Sequence, residues 1–504
     1  VNVSDIRIYR RALTAQEIRN NFMMYQTTAE EMLEIYNRND IMTDGKIDYE
    51  KVANHIPVMI VTGDIALLEN TTNKKERIIA NVQYIDRQHT ERSFNMINAL
   101  MTPQGTSSMF YPKHNFRLYT LKEGSTELRT GSHVIGEGTL VEDRKYSFKE
   151  GAQPVGAWCL KADYAESSST HNTGVARLWN DALANMQVSV DGTLKYAGRT
   201  KAQQAAIDNG YEYDVRTTVD GFPIVMFYHE NEEDPLIFMG KYNFNNDKST
   251  ESVFGFCGIP GFDDSKVECW EHLDSGNPYG LFTGDPSGFD ANWSKAFEAR
   301  YPDGSTKTAA LKKLYMWLYS CKGDQSKFNA EWKRHLDPHK MAAYYVYLMR
   351  FGGVDQVVKN AMLMTEDGEI WFFINYDNDT ILGLDNDGLV SFGWDITRQT
   401  KIAGTDVYCY AGHDSLLWNL LEGCEEFMRI VPEVDHALYS ARKGKQDVGL
   451  SYDNVIGMFN EEQSEKWCET IYAEDAKYKY IDPFKNNSVN QLAKLQGRRS
   501  SHRA

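Results

Sequence analysis

The sequence lacks a Cys-x-x-Cys pair, and its seven cysteines are scattered and odd in number. This pattern argues against a zinc site or a disulfide framework and predicts free, mostly buried thiols. No apolar run approaches the roughly 18 residues that a membrane-spanning helix needs, so no membrane span is expected. Basic residues are few, 54 against 71 acidic ones, and the net charge of -17 disfavours nucleic acid as a ligand.

Several catalytic signatures are missing as well. The chain contains no Gly-x-x-x-x-Gly-Lys-Ser/Thr phosphate loop, no Gly-x-Gly-x-x-Gly loop, no Gly-x-Ser-x-Gly elbow and no His-Glu-x-x-His pair. The sequence therefore contains no motif that supports a hydrolase, a zinc protease or a P-loop protein. The composition itself, 42% hydrophobic and 12% aromatic over 504 residues, predicts a well-packed globular protein with two or three domains.

The first 25 residues have the pattern of a strand followed by an amphipathic helix. Residues 4–9, SDIRIY, alternate polar and apolar, and TAQE at 14–17 is a capping box before an apolar stripe. The stretch VSDIRIYRRALTAQEIRNNF resembles the last strand and helix of concanavalin-like or laminin-G-like jelly rolls, which implies the end of a lectin-like, all-β domain over residues 1–25. Because the chain starts without Met or a signal-like segment, we expect it to begin inside a longer polypeptide.

Residues 26–54 are polar and predict a helical connector between domains. Within them, DIMTDGKIDYEKV has the Asp-Gly centre of a calcium loop, but Met42 and Lys51 stand where an EF-hand needs oxygen ligands. A simple turn is therefore the favoured interpretation of this segment, with a calcium loop as the alternative.

After His55 the sequence alternates between short strand-like runs and turn residues. IPVMIVTGD, RIIANVQYID, SFNMINALM and NFRLYTL each predict a strand, and KTAALKKLYMWLYSC later predicts an amphipathic helix. A β-rich lobe at about 55–260 followed by a helical lobe at about 261–504 indicates an α+β, two-lobed domain.

The segment 337–353 predicts a helix with defined ends. Asp337 is the expected N-cap, Pro338 suits the first turn, and Gly352 and Gly353 mark the end. The expected buried stripe of this helix consists of Met341, Tyr344, Tyr345 and Leu348.

The residues that carry chemistry follow this helix. Asp355 is expected in a loop after the helix, and Asn360 follows five positions later. The run IWFFI at 370–374 predicts a buried strand, which is followed by Asp377 and Asp379. If the extended geometry continues, these two aspartates point to one face. A hard divalent cation, naturally Mg²⁺, would relieve their repulsion. An Asp-x-x-x-x-Asn spacing followed by a metal-binding carboxylate is also the order in protein kinases.

Each of these patterns alone has a simpler structural interpretation. Asp-x-x-x-x-Asn is common by chance, and Asp-x-Asp in a loop is more often a turn than a metal site. The QGTSS segment, residues 104–108, could cover phosphates with backbone N–H groups or form an ordinary β-turn. Lys161 and Asp163 could pair across the site or have a structural role.

Five segments carry a wider resemblance: QGTSSMFYPKHNFRLYT, WCLKADYAESSSTHNTGVARLWN, VECWEHLDSGNPYGLF, VDQVVKN and WFFINYDNDTILG. Together they resemble the CotH-type kinases of spore coats and their bacterial and phage relatives. The similarity runs over about 450 residues, from His55 to the end of the sequence. It implies a two-lobed atypical protein-kinase-like fold that uses ATP and Mg²⁺ to phosphorylate Ser or Thr of proteins.

Carried over by position, the resemblance implies Asp355 as the general base. It implies Asn360 and Asp377 as metal ligands, with Asp379 as a supporting carboxylate at the metal. The residues before Asp355 are Gly-Gly-Val and lack the basic residue that ordinary kinases have in their His-Arg-Asp motif. The missing basic residue bears on whether the protein is catalytically active more than on whether it has the kinase-like fold.

The resemblance also implies cofactor-binding residues in the β-rich lobe. Lys113 would be a cation that neutralises phosphate charge, and Gly105 and Ser107 would belong to the turn over the phosphates. The sequence names no acidic partner for Lys113.

Two functions remain as hypotheses. The first is an enzyme, an ATP- and Mg²⁺-dependent protein kinase. The second is a catalytically silent structural, host-binding or glycan-binding component of a phage tail or cell-surface assembly, with the kinase-like fold as a scaffold. The expected partner is either a protein substrate or the neighbouring subunits of a virion or surface assembly. The N-terminal domain could in addition bind glycan. We also expect the chain to be part of an oligomer.

Overall fold

The computed structural model describes residues 41–105, 107–111, 113–120, 127–130, 133–137, 145–164, 170–273, 282, 284–353, 355–358, 360–382, 415–463 and 471. The predicted lectin-like segment, residues 1–25, and the greater part of the predicted connector lie outside these ranges.

The strands of the described residues are β1 (Met42–Thr43), β2 (Lys46–Ile47), β3 (Val58–Thr62), β4 (Ile78–Ile85), β5 (Phe94–Gln104), β6 (Asn115–Tyr119), β7 (Glu127–Thr130), β8 (His133–Glu137), β9 (Ala157–Lys161), β10 (Val188–Val190), β11 (Thr193–Lys195), β12 (Gly221–His229), β13 (Ile237–Asn246), β14 (Glu268–His272), β15 (Phe297–Tyr301), β16 (Ala361–Thr365), β17 (Trp371–Asn375), β18 (Arg442–Lys443) and β19 (Gln446–Asp447).

The α-helices are α1 (Tyr49–Val52), α2 (Ile65–Glu69), α3 (Ala176–Asn185), α4 (Lys201–Asp208), α5 (Phe289–Ala296), α6 (Ala309–Ser320), α7 (Gln325–Glu331), α8 (Pro338–Tyr347), α9 (Asp355–Val358), α10 (Leu416–Glu422), α11 (Glu425–Tyr439) and α12 (Tyr452–Gln463). Two π-helical turns span His171–Val175 and Leu348–Gly352. Short 3-10 helices span Thr90–Arg92, Ser107–Phe110, Pro286–Gly288 and Trp332–Arg334.

Seven strands close into a barrel in the order β12-β13-β9-β6-β5-β4-β3. Neighbouring strands are antiparallel except β12 and β3, which run parallel with Val225 opposite Val58. Residues of β4 alternate between buried and exposed, because successive side chains of a strand point to opposite faces. The buried faces fill the barrel with large side chains, including Tyr84, Phe116 and Trp158. The four strands predicted after His55 are β3 to β6, and these predictions are confirmed.

A second sheet has four antiparallel strands in the order β15-β14-β16-β17. The strand predicted from IWFFI is β17, and all five of its residues are buried. On β17, Phe373 stacks against Tyr344 of α8 and Trp418 of α10, with ring centroids 4.8 and 5.7 Å apart. This helical cover explains why the strand is continuously apolar rather than alternating.

The helix predicted over 337–353 is present with the expected start. The carboxylate of Asp337 accepts hydrogen bonds from the backbone N–H groups of His339 and Lys340, and Pro338 is the first residue of α8. The helix continues into the second π-helical turn, which ends at Gly352 with φ 61°. The predicted stripe is buried: Met341, Tyr344, Tyr345 and Leu348. The helix predicted from KTAALKKLYMWLYSC is α6, whose apolar face is also buried.

The candidate calcium segment forms a β-hairpin in which a two-residue turn connects β1 and β2. Asp44 and Gly45 both have positive φ, 50° and 74°, as the tight turns of hairpins require. The carboxylate of Asp48 accepts a hydrogen bond from the backbone N–H of Glu50 and caps α1. The simple-turn interpretation is therefore confirmed.

The barrel and the second sheet lie against each other at the end of β17. The backbone N–H of Asn375 donates to the carbonyl of Thr217, which leads into β12, over 2.9 Å. The described residues thus form a mixed α and β structure around a seven-stranded barrel. No helix within the described ranges is long and apolar enough to cross a membrane.

Candidate functional site

A buried ion pair joins the barrel to the second sheet. Lys161, the last residue of β9, faces outward because Leu160 before it faces the barrel interior. Its Nζ lies 3.1 Å from Oδ1 of Asp377, and the two side chains are only 8% and 17% exposed. These residues are 216 positions apart in the sequence, so only the tertiary structure brings them together.

The segment after β17 does not remain extended. Asp377 has φ 55°, in the left-handed region, so the expectation that strand geometry continues from 374 to Asp379 is wrong. Strand β17 ends at Asn375, and the chain turns at Asp377. The carboxyl group of Asp379 nevertheless lies close enough to that of Asp377 for its negative charge to raise the pKa of Asp377. The two aspartates therefore converge through a turn rather than through alternation.

Asn378, between the two aspartates, anchors this turn. Its backbone N–H donates to Oδ1 of Asn172 over 2.7 Å, and its Nδ2 donates to the carbonyl of His171 over 3.1 Å. The hydroxyl of Tyr347, the last residue of α8, donates to Asn378 Oδ1 over 2.7 Å. Asn378 is fully buried, so the turn is held from the first π-helical turn and from α8 at once.

Burial and charge act in opposite directions on the two partners of this ion pair. Burial, followed by the negative charge of Asp379, raises the pKa of Asp377 to about 7, although Lys161 opposes this shift. Burial also disfavours the charge of Lys161, but attraction to Asp377 and Asp379 outweighs it, and the pKa of Lys161 lies well above its usual range. Two carboxylates thus act on the ammonium of Lys161, and the charge of the second carboxylate raises the pKa of the first.

The raised pKa of Asp377 predicts a pH-dependent stability. Because folding raises the pKa of Asp377, its protonated form is favoured in the folded state, and the associated stability is lost as the pH rises from about 4 through about 7. Between pH 5 and pH 8 without divalent cations, we expect Asp377→Asn to gain on the order of 1–3 kcal/mol of unfolding free energy relative to wild type. Urea denaturation at both pH values measures this difference. Parallel pH profiles for the two proteins would contradict it.

The loop before β16 approaches the same turn. The Nε2 of Gln356 in α9 donates to the backbone carbonyl of Asp377. Asn360 has φ 52° and precedes Ala361, which pairs with Asn375, so the register brings the backbone of Asn360 beside the residue before Asp377. Asp355 begins α9, but its side chain lies outside the described part of the chain.

The cofactor-binding residues expected in the β-rich lobe are arranged differently. Lys113 is buried inside the end of the barrel, where its Nζ donates to the carbonyl of Lys241 and lies 4.4 Å from the ring centre of Tyr242. The lysine that contacts Asp377 is Lys161 instead. Of these two lysines, Lys113 contacts β13 and Lys161 pairs with Asp377.

In the QGTSS segment, Gln104 ends β5 and Ser107 begins a 3-10 helix. Gly105 has φ 114°, and a Cβ on it would lie 1.8 Å from Oγ of Ser108, so this position requires glycine. The side chain of Ser107 lies outside the described part of the chain.

Asp163 lies two residues beyond Lys161. Its carboxylate accepts a hydrogen bond from Nδ2 of Asn243, and Asn243 is the strand partner of Lys161 on β13. The Oδ1 of Asn243 is buried with no hydrogen-bond partner among the described residues, and the same holds for Oε1 of Gln356. Such acceptors indicate that the cluster has capacity for further donors or cations.

The oxygen set of this cluster suits Mg²⁺ bound together with a phosphate ligand. Within the described ranges, no three His, Cys, Asp or Glu side chains form a group that could hold a metal ion, so Asp377 and Asp379 are not part of a closed cage there. Magnesium commonly takes one or two carboxylates and completes its shell with water and substrate phosphates. A pair of neighbouring carboxylates, one of them with a raised pKa, fits that role.

Sequence reasoning missed how this site is held. Asn378 and Asn172 carry no motif of their own, and the only local signal was the position of Asn378 between two aspartates after a buried strand. Lys161 was flagged by its KADY motif, without a partner on the second sheet.

Comparisons with known proteins bear on neither the family nor the chemistry of the site. A scan against protein-family models gave no match, and a search of curated proteins gave no significant match.

Proposed function

We propose that the protein is an ATP- and Mg²⁺-dependent phosphotransferase of the CotH-like kind that phosphorylates Ser or Thr hydroxyls of proteins. In this proposal the barrel is the first lobe of a kinase-like fold, and the second sheet with its helices is the second lobe. The observation that carries the proposal is the buried pair between Lys161 and Asp377, with Asp379 beside it.

The pair is suited to a phosphate-bearing ligand for an electrostatic reason. A lysine ammonium attracts phosphate oxygens, and a carboxylate pair attracts the cation that accompanies a nucleotide. Both groups are largely removed from water, where such interactions are stronger than at the surface. Removing two charges from water costs free energy that their mutual attraction often does not exceed, and this cost favours a functional reason for the buried pair.

The residues would act as follows. Lys161 neutralises phosphate charge on the nucleotide, and Asp377 with Asp379 and Asn360 would hold magnesium, which neutralises charge that develops on the transferred phosphoryl group. Asp355 would accept the proton of the attacking hydroxyl group. The hydroxyl oxygen bonds to the γ-phosphorus while the bond from that phosphorus to ADP breaks. Gln356 and Asn378 keep the turn at Asp377 in position through its backbone.

The direct test is the binding of ATP with Mg²⁺ by calorimetry, with and without a chelator, in wild type and Lys161→Ala. Loss of a buried charged partner should weaken magnesium-dependent ATP binding by about tenfold or more. The matched control is Lys201→Ala, since Lys201 also pairs with an aspartate, Asp367, but is 60% exposed. That control should bind as wild type does.

The outcomes separate the two hypotheses. Wild type that binds no ATP with Mg²⁺ would contradict the enzyme and favour the silent scaffold of a tail or surface assembly. A folded Lys161→Ala variant that binds like wild type would remove Lys161 from the site. Circular dichroism and thermal unfolding verify the fold of each variant.

A further inference from the structure

A cavity of about 570 Å³ lies in the helical part of the molecule, between α8, α11 and the start of α12. None of the residues that form the Lys161–Asp377 cluster lines it. Its wall contains aliphatic side chains, among them Val346, Met349, Val431, Leu450 and Val455. Cavities of about 300–1,000 Å³ with such walls are typical of small-molecule sites.

An arginine and an aspartate in the wall form an ion pair with each other. Arg350 and Asp435 both line the cavity and form a two-pronged pair, in which Nε donates to Oδ1 and Nη2 donates to Oδ2 over 2.9 Å. An ionic ligand would have to compete with this pair or remain uncompensated in a largely apolar space. An uncharged ligand avoids this penalty.

The wall also contains a backbone carbonyl that lacks its usual helical donor. Pro432 lies inside α11 and has no N–H, so the carbonyl of Met428 one turn earlier lacks its helical donor. Met428 and Pro432 both line the cavity, so this carbonyl lies on the cavity face of the helix. A hydrogen-bond donor on a ligand at this face would take the place of the missing N–H.

Aromatic and sulfur-containing side chains complete the wall. Tyr345, Phe351 and Tyr439 offer ring surfaces, and Met349 and Met428 are flexible thioethers that pack well against aromatic rings. We propose that this cavity binds an uncharged, largely aromatic small molecule that carries one hydrogen-bond donor.

N-phenyl-1-naphthylamine has this chemistry, because it is uncharged, aromatic and has one N–H group. Titrated into the full chain, it should show saturable binding with enhanced fluorescence. The sulfonated analogue 8-anilino-1-naphthalenesulfonate carries the same rings and N–H with a negative charge. It should bind about tenfold more weakly or worse because its charge finds no compensation.

Two substitutions tie the binding to the cavity. Val431→Trp fills the space and should abolish binding, whereas Met316→Trp adds the same indole at a position that is 53% exposed on α6 and should leave binding unchanged. Pro432→Ala returns an N–H to the Met428 carbonyl and should weaken binding about threefold to tenfold without unfolding the helix.

The proposal is overturned if wild type shows no saturable binding, if Val431→Trp binds as wild type does, or if the sulfonated analogue binds equally well. Unchanged affinity in Pro432→Ala would overturn the assigned acceptor. Binding is measured directly, so these outcomes do not depend on phosphate transfer at Asp377.

Discussion

Replacing Asp377 with asparagine is expected to lower magnesium-dependent phosphate transfer from ATP by about a hundredfold to a thousandfold, the usual cost of removing one electrostatic group from a reaction centre. Asparagine keeps the size of the side chain and an oxygen near Nζ of Lys161, so the fold should persist. It removes the negative charge that a divalent cation requires. Transfer of the γ-phosphate to a protein acceptor, followed with labelled ATP, measures the effect.

The matched control for this prediction is Asp290→Asn. Asp290 also pairs with a lysine, Lys312, but it is 72% exposed and lies on α5, outside the Lys161–Asp377 cluster. This control should retain wild-type transfer. An Asp377→Asn protein that transfers phosphate at the wild-type rate would contradict the proposed role of the turn after β17, whereas a misfolded variant would show itself by its thermal unfolding.

Replacing Glu271 with alanine is expected to reduce the free energy of unfolding by about 3–5 kcal/mol, because it leaves two cations buried without their shared partner. Glu271 on β14 is 5% exposed. Its carboxylate accepts two hydrogen bonds from Nζ of Lys248, over 2.7 and 2.9 Å, and one from Nε of Arg300. Burial opposes the charge of Glu271, but Lys248 and Arg300 outweigh it and hold its pKa below the usual range. Urea denaturation at pH 7 measures the loss.

Glu298→Ala provides the control, since Glu298 contacts the same Arg300 but is 40% exposed. Its removal should cost about 1 kcal/mol or less, as is usual for exposed ion pairs. Equal effects of the two substitutions would show that burial does not decide the strength of this network. Because folding lowers the pKa of Glu271, its contribution is present above the unfolded pKa and is lost as the pH falls.

This network also bears on the candidate site. Nζ of Lys248 lies 5.0 Å from the ring centre of Tyr376, the residue immediately before Asp377. Loss of Glu271 would therefore weaken the support of Tyr376 in addition to lowering stability. A modest loss of ATP binding in Glu271→Ala would follow from this contact.

Sequence reasoning succeeded for elements whose pattern is local. The strands β3 to β6 and the buried strand β17 were predictable from runs of β-branched and aromatic residues between turn residues. Helix α8 was predictable from Asp337, Pro338 and its apolar stripe, since a cap and a 3.6-residue period are encoded within one turn or two. These features depend on neighbours in the chain.

Sequence reasoning was less successful for contacts between distant segments. It named Asp377 and Asp379 as neighbours, but through strand alternation, whereas the structure turns the chain at Asp377 and anchors Asn378 from two other elements. It flagged Lys161 only through a pairing with Asp163, whereas the structure pairs Lys161 with Asp377. A basic residue's partner depends on which strands become neighbours, and the sequence carries no local signal for that.

The amino-acid sequence by itself determined where strands and helices form, where they are capped, and which residue types could carry metal and phosphate chemistry. Only the tertiary structure decided that β9 lies against the turn after β17, and therefore that Lys161 meets Asp377 across 216 positions. The physical reason is the distance along the chain over which each interaction acts. Propensity, capping and alternation act over a few residues, whereas the closure of the barrel and the burial of its outer polar face depend on the packing of the whole chain.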